Sequence, residues 1–183
     1  MSRLIVTDIE GVLLLPSDSH IDKRGTFTKI FPQKILSEQL NSVAISFNPL
    51  IGTIRGLHFQ VEPFAEEKIV SCLAGAIFDV IVDIRPNSKT FGMWSSFELS
   101  SSNQLNAFLP KGIAHGFQVL EASTIVQYCL TSSYSQEAAF TINPIGEIGI
   151  DWPIPKVTIS EKDSAGITIA AAALKYSASL QAK

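Results

Sequence analysis

The sequence predicts an all-β fold, a barrel or a sandwich, on the strength of two observations. First, the middle of the chain consists of short strand-like runs separated by turn signals such as Pro86-Asn87-Ser88, Ser101-Ser102-Asn103 and Pro110-Lys111-Gly112. Short strands punctuated in this way are typical of all-β domains. Second, helix signals are few and occur only in residues 32–40 and near the C-terminus.

The N-terminal segment predicts two short strands, over residues 4–6 and 12–15, joined by a turn at Glu10-Gly11. Acidic residues interrupt this apolar region, which therefore lacks the unbroken stretch of a secretory signal peptide. His20 follows in a polar segment, residues 17–20, for which we predict a loop.

The further strand-like runs are residues 26–31, 43–48, 68–73, 76–84, 93–99, 106–109, 116–120 and 124–130. Successive side chains of a strand point to opposite faces, so residues 76–84 have one apolar face and one mixed face that carries Asp79 and Asp83. An apolar face opposite a mixed one suits a barrel or sandwich whose second face lines a cavity.

Helices are predicted at two places. Residues 32–40 favour one short helix, and a second begins where Ser160 and Asp163 resemble a capping pair before an alanine-rich run to Leu174. We expect the residues beyond Lys175 to be loosely ordered. With 183 residues and about 150 residues per domain, the chain predicts a single domain over residues 1–183. Its core would span about residues 20–165, with a tail over about 166–183.

Composition excludes several classes of protein. Hydrophobic residues make up 46% and charged residues 17% of the chain, which suits a packed core rather than disorder. A net charge of -3 disfavours a broad nucleic-acid-binding surface. No apolar run reaches the length of about 18 residues that a membrane span needs. The two cysteines, Cys72 and Cys129, predict a reduced, intracellular protein.

Two histidines stand out as candidates for chemistry. His58 lies in Arg55–Gln60, which we expect to precede a strand, and His115 ends a Pro-x-Gly-x-x-His segment at residues 110–115. These two segments look like the two motifs of a cupin barrel. Metal-binding cupins carry His-x-His in the first motif, but Gln60 takes the second histidine's place.

The charges near these histidines favour an anionic ligand over a metal ion. Glu66 or Glu67 could supply a carboxylate, but Lys68 beside them makes an added cation costly. Arg55 and Lys68, together with His58 and His115, would instead suit an anion and a developing oxyanion.

An ordered series of motifs covers most of the chain between residues 20 and 165. It comprises residues 24–27 (RGTF), 55–60 (RGLHFQ), 68–70 (KIV), 78–85 (FDVIVDIR), 88–94 (SKTFGMW), 110–117 (PKGIAHGF), 149–153 (GIDWP) and 159–163 (ISEKD). The series resembles the dTDP-4-dehydrorhamnose 3,5-epimerase family. This resemblance implies a double-stranded β-helix (cupin) fold with short helices and a C-terminal helical tail. It also implies a cytoplasmic homodimer without metal or organic cofactor that inverts C3 and C5 of a nucleotide-linked 4-keto-6-deoxy sugar through an enolate.

The resemblance also implies roles for individual residues. His58 would be the base, since imidazoles exchange protons near neutral pH, and Asp163 would orient it. Tyr128 matches the proton donor. Lys68 matches the cation near the keto oxygen. His115 would contact the same region, with Asp79 as its orienting partner and Asp83 as the competing choice.

Further positions match those that bind the substrate. Arg24 and Arg55 resemble residues that hold a diphosphate, and in the family the counterpart of Arg24 can come from the neighbouring subunit. Lys162 and Asn48 match further ligand-contact positions. Lys29 also falls at such a position, although the family often has glutamate there.

Other departures from the family lie in the same region. Ser46 stands in place of glutamine, Glu66 in place of glutamine, and Ala139 in place of a ligand-binding glutamate with Glu137 nearby. These changes do not affect the proposed acid Tyr128, the proposed base His58 or the cation Lys68. They leave open a 3-epimerase or a 5-epimerase acting on a deoxysugar of secondary metabolism. The sequence is also compatible with a metal-dependent cupin enzyme and with a sugar-nucleotide-binding protein that has no catalytic activity.

Overall fold

A computed structural model describes residues 4–31 and 35–182 of the chain. The strands in these residues are β1 (Ile5–Val6), β2 (Leu13–Pro16), β3 (Asp18–Asp22), β4 (Gly25–Lys29), β5 (Ser42–Asn48), β6 (Ile54–Gln60), β7 (Lys68–Ala74), β8 (Ala76–Asp83), β9 (Trp94–Ser100), β10 (Leu105–Leu109), β11 (Ile113–Val119), β12 (Thr124–Leu130) and β13 (Ala139–Thr141). Two helices follow them, α1 (Glu161–Ser164) and α2 (Ile169–Gln181). The all-β prediction with a C-terminal helical segment is confirmed.

Two antiparallel sheets form the body of the fold. One has six strands in the order β1-β2-β10-β7-β12-β5, and the other has five in the order β13-β6-β11-β8-β9. Strands β3 and β4 pair with each other as a separate hairpin. Strands that are distant in sequence are therefore neighbours in space, which brings the segments around His58 and His115 side by side on β6 and β11.

The core lies between the two sheets and continues on the outer face of the five-stranded one. Ile77 and Ile81 of β8 pack inward with Val126 of the opposite sheet. Val80 and Val82, on the other face of β8, belong to a second cluster that includes residues of α2. Each fully buried aliphatic side chain contributes about 1.5–3 kcal/mol to folding. The mixed face of this strand points into the barrel as predicted, and the apolar face is covered by the C-terminal helix.

The N-terminal prediction is confirmed, but the assignment of His20 to a loop is wrong. Ile5 pairs with Leu14 in the β1–β2 hairpin. His20 lies in β3, opposite Phe27 of β4. The side chains of β3 are mostly exposed, so backbone pairing with β4 rather than an apolar face defines this strand, and its polar sequence gives no sign of it.

The helix predicted over residues 32–40 is not present in residues 35–40, and residues 32–34 lie outside the described part of the chain. A distant carboxylate explains the difference. Glu67 accepts hydrogen bonds from the backbone N–H of Ser37 at 2.8 Å and from its hydroxyl at 2.6 Å. A backbone N–H that already donates to a carboxylate does not need the carbonyl of a preceding helical turn as its acceptor.

The C-terminal region differs from its prediction in two respects. The capping pair is confirmed, since the Ser160 hydroxyl accepts a hydrogen bond from the Asp163 backbone N–H at 3.1 Å. That helix, however, ends at Ser164, and α2 begins at Ile169 and continues to Gln181. The expectation of loose order beyond Lys175 is wrong because buried Tyr176 anchors the last turns. Among the described residues, no helix is long and apolar enough to cross a membrane.

Candidate active site

A cavity of about 330 Å³ opens between the two sheets. His58 and His115 reach it from the five-stranded sheet, on β6 and β11, while Lys68 and Tyr128 reach it from the six-stranded sheet, on β7 and β12. On β12, alternation points Tyr128 and Leu130 into the cavity. On β6 and β11 the register shifts between His115 and Phe117, so residues of both parities reach it. Arg55 and Lys162 also line it.

His58 pairs with Asp163 of α1. The distance between His58 Nε2 and Asp163 Oδ1 is 2.8 Å. The second carboxylate oxygen accepts a hydrogen bond from the Gly56 backbone N–H at 3.2 Å. Burial raises the pKa of Asp163, but the hydrogen bonds from His58, Gly56 and Ser160 outweigh it, so this pKa lies below its usual value. An ionised carboxylate only accepts hydrogen bonds, so in the neutral form of His58 the proton is on Nε2 and Nδ1 has a lone pair that can act as a base.

A second histidine–aspartate pair lies deeper in the barrel. His115 Nε2 is 2.7 Å from Asp79 Oδ1, and both side chains are buried. Burial raises the pKa of Asp79 above its usual value. The competing choice, Asp83, is engaged elsewhere, because its carboxylate binds Arg85 at 2.7 Å and the Ser88 hydroxyl at 2.5 Å. Of the two partners considered for His115, the structure therefore selects Asp79.

Tyr128 extends into the cavity from the sheet opposite His58. Its hydroxyl oxygen is 3.3 Å from Ser46 Oγ, and its ring lies edge-on to that of His115 with the ring centroids 6.4 Å apart. Burial raises the pKa of Tyr128 to about 12, against a smaller opposing effect of the Ser46 hydrogen bond. The phenol is therefore protonated at neutral pH and can serve as an acid.

Lys68 is a buried cation held by one carboxylate. Its Nζ lies 3.2 Å from Glu66 Oε1, and Gln60 Nε2 donates a hydrogen bond to Glu66 Oε2 at 3.1 Å. The other carboxylate considered as a metal ligand, Glu67, binds Ser37 instead. Within residues 4–31 and 35–182, no group of three histidine, cysteine or acidic side chains is arranged to hold a metal ion.

The predicted substrate-binding residues divide into two groups. Arg55 and Lys162 line the cavity, and Asn48 lies behind Arg55, accepting a hydrogen bond from its Nε at 2.7 Å. Arg24 and Lys29 lie instead on the exposed β3–β4 hairpin, away from the cavity lining. The Arg24 guanidinium is bound to Asp22. Within one chain, the structure does not bring these two residues to the site.

Sequence analysis does not reveal the functions of some nearby side chains. In the sequence, Ser46 is only a departure from the family, although it is the hydrogen-bond partner of Tyr128. In the sequence, Gln60 is only the replacement of a metal-binding histidine, and Glu66 is only a possible metal ligand and a departure from the family, whereas the two form one network with Lys68. Tyr134 also lines the cavity, and no sequence motif points to it. Alternation could have placed Ser46 on the same face as Asn48, but its pairing with Tyr128 depends on strand order.

The arrangement is equipped for proton transfer at a carbon atom. A base, Nδ1 of His58, and an acid, the phenol of Tyr128, approach one cavity from facing sheets. Lys68 and the buried pair of His115 with Asp79 lie beside them, where positive charge and N–H donors stabilise a developing oxyanion.

Comparison with known proteins places the chain among characterised enzymes. The sequence profile described as dTDP-4-dehydrorhamnose 3,5-epimerase matches residues 6–171. A dTDP-4-dehydrorhamnose 3,5-epimerase of Sinorhizobium fredii is 43% identical over 78% of this chain and 77% of its own length. The protein of the same name from Escherichia coli K12 is 40% identical over 91% of this chain and 94% of its own length.

Solved structures agree with the sequence matches. The dTDP-6-deoxy-D-glucose-3,5-epimerase of Legionella pneumophila, determined in complex with dTDP-4-keto-L-rhamnose, superposes with a TM-score of 0.86 at 35% identity, covering 92% of this chain and 93% of that one. A 4-keto-6-deoxy sugar epimerase from the novobiocin gene cluster of Streptomyces spheroides has a TM-score of 0.87 at 29% identity, covering 93% and 88%. The predicted double-stranded β-helix fold is thereby confirmed, and the chain belongs to the dTDP-4-dehydrorhamnose 3,5-epimerase family of isomerases.

Proposed function

We propose that this chain epimerises a dTDP-linked 4-keto-6-deoxy sugar at C3, at C5 or at both carbons. One observation carries the proposal: His58, which is paired with Asp163, and the phenol of Tyr128 line one cavity from facing sheets. Inversion requires a base and an acid on opposite faces of the carbon atom, because a single residue that returned its own proton to the same face would regenerate the starting isomer.

The proposed reaction begins with proton abstraction next to the C4 ketone. His58 Nδ1 takes the proton, and the electron pair of the C–H bond moves into the ring to form an enolate. Asp163 stabilises the resulting imidazolium, while Lys68 and His115 stabilise the enolate oxygen. The phenol of Tyr128 then donates its proton to the opposite face of the carbon, the ketone re-forms, and a phenolate remains. The residues of this chain supply each of these groups.

The identity of the substrate is supported by the relatives and by the charge of the cavity. The Legionella pneumophila relative was solved with dTDP-4-keto-L-rhamnose, and a Bacillus anthracis relative, 34% identical, was solved with TDP and pyrophosphate. Arg55 and Lys162 are cations at the cavity of this chain and suit a diphosphate.

A homodimer is the second part of the proposal. Strand β5 lies at the edge of the six-stranded sheet and exposes Val43, Ile45 and Phe47, whose exposed fractions are 57%, 68% and 58%. An apolar edge strand is a surface that proteins usually cover. The β3–β4 hairpin pairs with no other described strand and carries Arg24 away from the cavity of its own chain. A second copy of this chain would cover the edge and could supply Arg24 to the site.

A single-centre epimerase is the second candidate function, and one specific feature supports it. Ser46 and Ala139 are smaller than the side chains that the family resemblance predicts there, and both line the cavity. A larger space changes how the sugar lies relative to Tyr128, and loss of one inversion would require no more than that.

A cytoplasmic location and a single domain over residues 1–183 remain predictions.

Proton NMR in D2O tests the reaction directly. We expect dTDP-4-keto-6-deoxyglucose incubated with the enzyme to gain deuterium at C3 and C5 with inversion, and exchange at one carbon alone would identify a single-centre epimerase. His58→Ala should abolish exchange, whereas Tyr128→Phe should allow exchange but not inversion. Absence of exchange with the wild-type enzyme would contradict the proposal, and binding without exchange would favour a non-catalytic protein. Iron, manganese or zinc bound in stoichiometric amount would favour a metal-dependent cupin enzyme.

A further inference from the structure

A continuous chain of hydrogen bonds connects Arg55 to the phenol of Tyr128. Arg55 Nε donates to Asn48 Oδ1 at 2.7 Å, and Asn48 Nδ2 donates to Ser46 Oγ at 3.1 Å. Ser46 Oγ lies 3.3 Å from the Tyr128 hydroxyl oxygen. All four residues belong to β5, β6 and β12, so the chain crosses from one sheet to the other.

The chemistry of its neighbours fixes the orientation of the Asn48 amide. The guanidinium of Arg55 can only donate, so it must face the amide oxygen. The backbone carbonyls of Ser46 and Thr124 can only accept, and each lies 3.3 Å from Asn48 Nδ2. A flipped amide would place its NH2 group against the Arg55 N–H and its oxygen against the two backbone carbonyl oxygens. Nδ2 has two N–H groups for three acceptors, so one N–H is shared, and the shortest of the three contacts is the one to Ser46 Oγ, at 3.1 Å.

This orientation determines what the Ser46 hydroxyl can do. Its oxygen already accepts a hydrogen bond from Asn48, and its one proton is free to be donated. Among the described side chains, the oxygen of Tyr128 lies within reach as the acceptor. After Tyr128 has given up its proton, the phenolate has only lone pairs, so at that moment Ser46 must be the donor.

We propose that Ser46 is a positioning residue that orients the Tyr128 phenol and donates a hydrogen bond to the phenolate left by proton transfer. The inference rests on the proposed function, because it takes Tyr128 as the acid. A donated hydrogen bond of this kind is stronger to a charged acceptor than to a neutral one, so it stabilises the phenolate more than the phenol. Ser46 therefore favours the reprotonation step specifically.

The electrostatic surroundings of the phenol agree with this role. Burial and the charge of Asp79 raise the pKa of Tyr128, whereas the Ser46 hydrogen bond and the charge of Arg55 lower it. The ring of His115 faces the phenol, and Lys68 lies across the same cavity. Ser46 thus counteracts part of the cost of forming a phenolate in a buried place.

The first test compares Ser46→Ala with Ser46→Thr, which keeps the hydroxyl. We expect Ser46→Ala to lower kcat for inversion about tenfold, the effect of one hydrogen bond to a charged group. The rate of deuterium exchange at the carbon that His58 deprotonates should fall less than the rate of inversion, and Ser46→Thr should restore inversion. Ser42→Ala, at an exposed position on the same face of β5, is the matched control. Inversion at the wild-type rate in Ser46→Ala would overturn the inference.

A second test needs no substrate. Uniform incorporation of 3-fluorotyrosine gives one fluorine resonance for each of the three tyrosines, and Tyr128→Phe identifies that of Tyr128. Ser46→Ala should raise the titration midpoint of this resonance and leave the other two tyrosine resonances unaffected. An unchanged midpoint would overturn the inference. If the wild-type enzyme exchanges no proton of the sugar, the proposed function fails, whereas this titration separately decides whether Ser46 donates a hydrogen bond to the Tyr128 phenolate.

Discussion

The carboxylate of Asp163 determines which nitrogen of His58 can act as the base. Because Oδ1 accepts from Nε2 at 2.8 Å, the lone pair stays on Nδ1. In Asp163→Asn, the new amide can donate to Nε2 and shift the proton to Nδ1, where it blocks the base. We expect kcat to fall about a hundredfold or more, with the fold retained as judged by circular dichroism. Asp151→Asn, at an exposed carboxylate, is the control. A kcat within twofold of wild type would contradict the assigned role.

At this scale, the sequence predicts the residues that chemistry requires but not the residues that support them. His58, Tyr128 and Lys68 are expected in one site, and the structure brings them to one cavity. Ser46 and Glu66 escape prediction because a serine or a glutamate has no distinctive pattern. Their importance comes from neighbours on other strands, and strand order cannot be obtained from local sequence.

At the scale of the elements, the close pairing of β6 and β11 depends on two glycines. Gly56 has a φ of +116°, and a Cβ placed on it would lie 2.5 Å from the Cα of Gly116. Gly56 also donates its N–H to Asp163, so the same close approach positions the partner of His58. Backbone packing thus holds the base and its partner in place.

Gly56→Ala should therefore damage both stability and activity. The strained backbone alone costs about 1–3 kcal/mol, and the overlap with Gly116 adds to it. Gly25→Ala is a matched control, because Gly25 has a φ of +122° and no atom within 4 Å of its added Cβ. Urea denaturation should show a larger loss in the free energy of unfolding for Gly56→Ala than for Gly25→Ala. Equal losses would mean that the overlap between an added Cβ at Gly56 and the backbone of Gly116 does not lower the free energy of unfolding.

The elements that sequence analysis placed best are those with strong local patterns. The strand predicted over residues 124–130 matches β12 residue for residue. The errors arise where a distant group decides the local structure. Glu67 prevents a helix at Ser37, and the buried ring of Tyr176 extends α2 toward its end. Neither contact can be deduced from the residues of the segment itself.

At the scale of the whole molecule, the apolar edge of β5 makes the homodimer testable. Ile45→Lys places a charge at the centre of this exposed strand, where burial against a second copy would cost free energy. We expect analytical ultracentrifugation to give twice the mass of one chain for the wild type and a shift toward the monomer for Ile45→Lys. Leu174→Lys, at an exposed position of α2, should leave the mass unchanged. A wild-type monomer, or an unaltered dimer in Ile45→Lys, would contradict the proposed interface.

Acid should destabilise the whole molecule through two carboxylates with lowered pKa values. Burial raises the pKa of Asp83, but hydrogen bonds from Arg85, Ser88 and Thr90 more than offset it, and Asp163 behaves in the same way. As the pH falls below about 4, the unfolded chain takes up protons that the folded chain still excludes, so the free energy of unfolding decreases. Asp79, whose pKa is raised, acts in the opposite direction. We therefore expect Asp83→Asn to be less stable than wild type at pH 7 but to lose less stability between pH 5 and pH 3, measured by urea denaturation at each pH.

Asp151→Asn is the control, and its free energy of unfolding should depend on pH with the same slope as that of the wild type. A wild-type slope in Asp83→Asn would show that its hydrogen bonds do not carry the acid sensitivity.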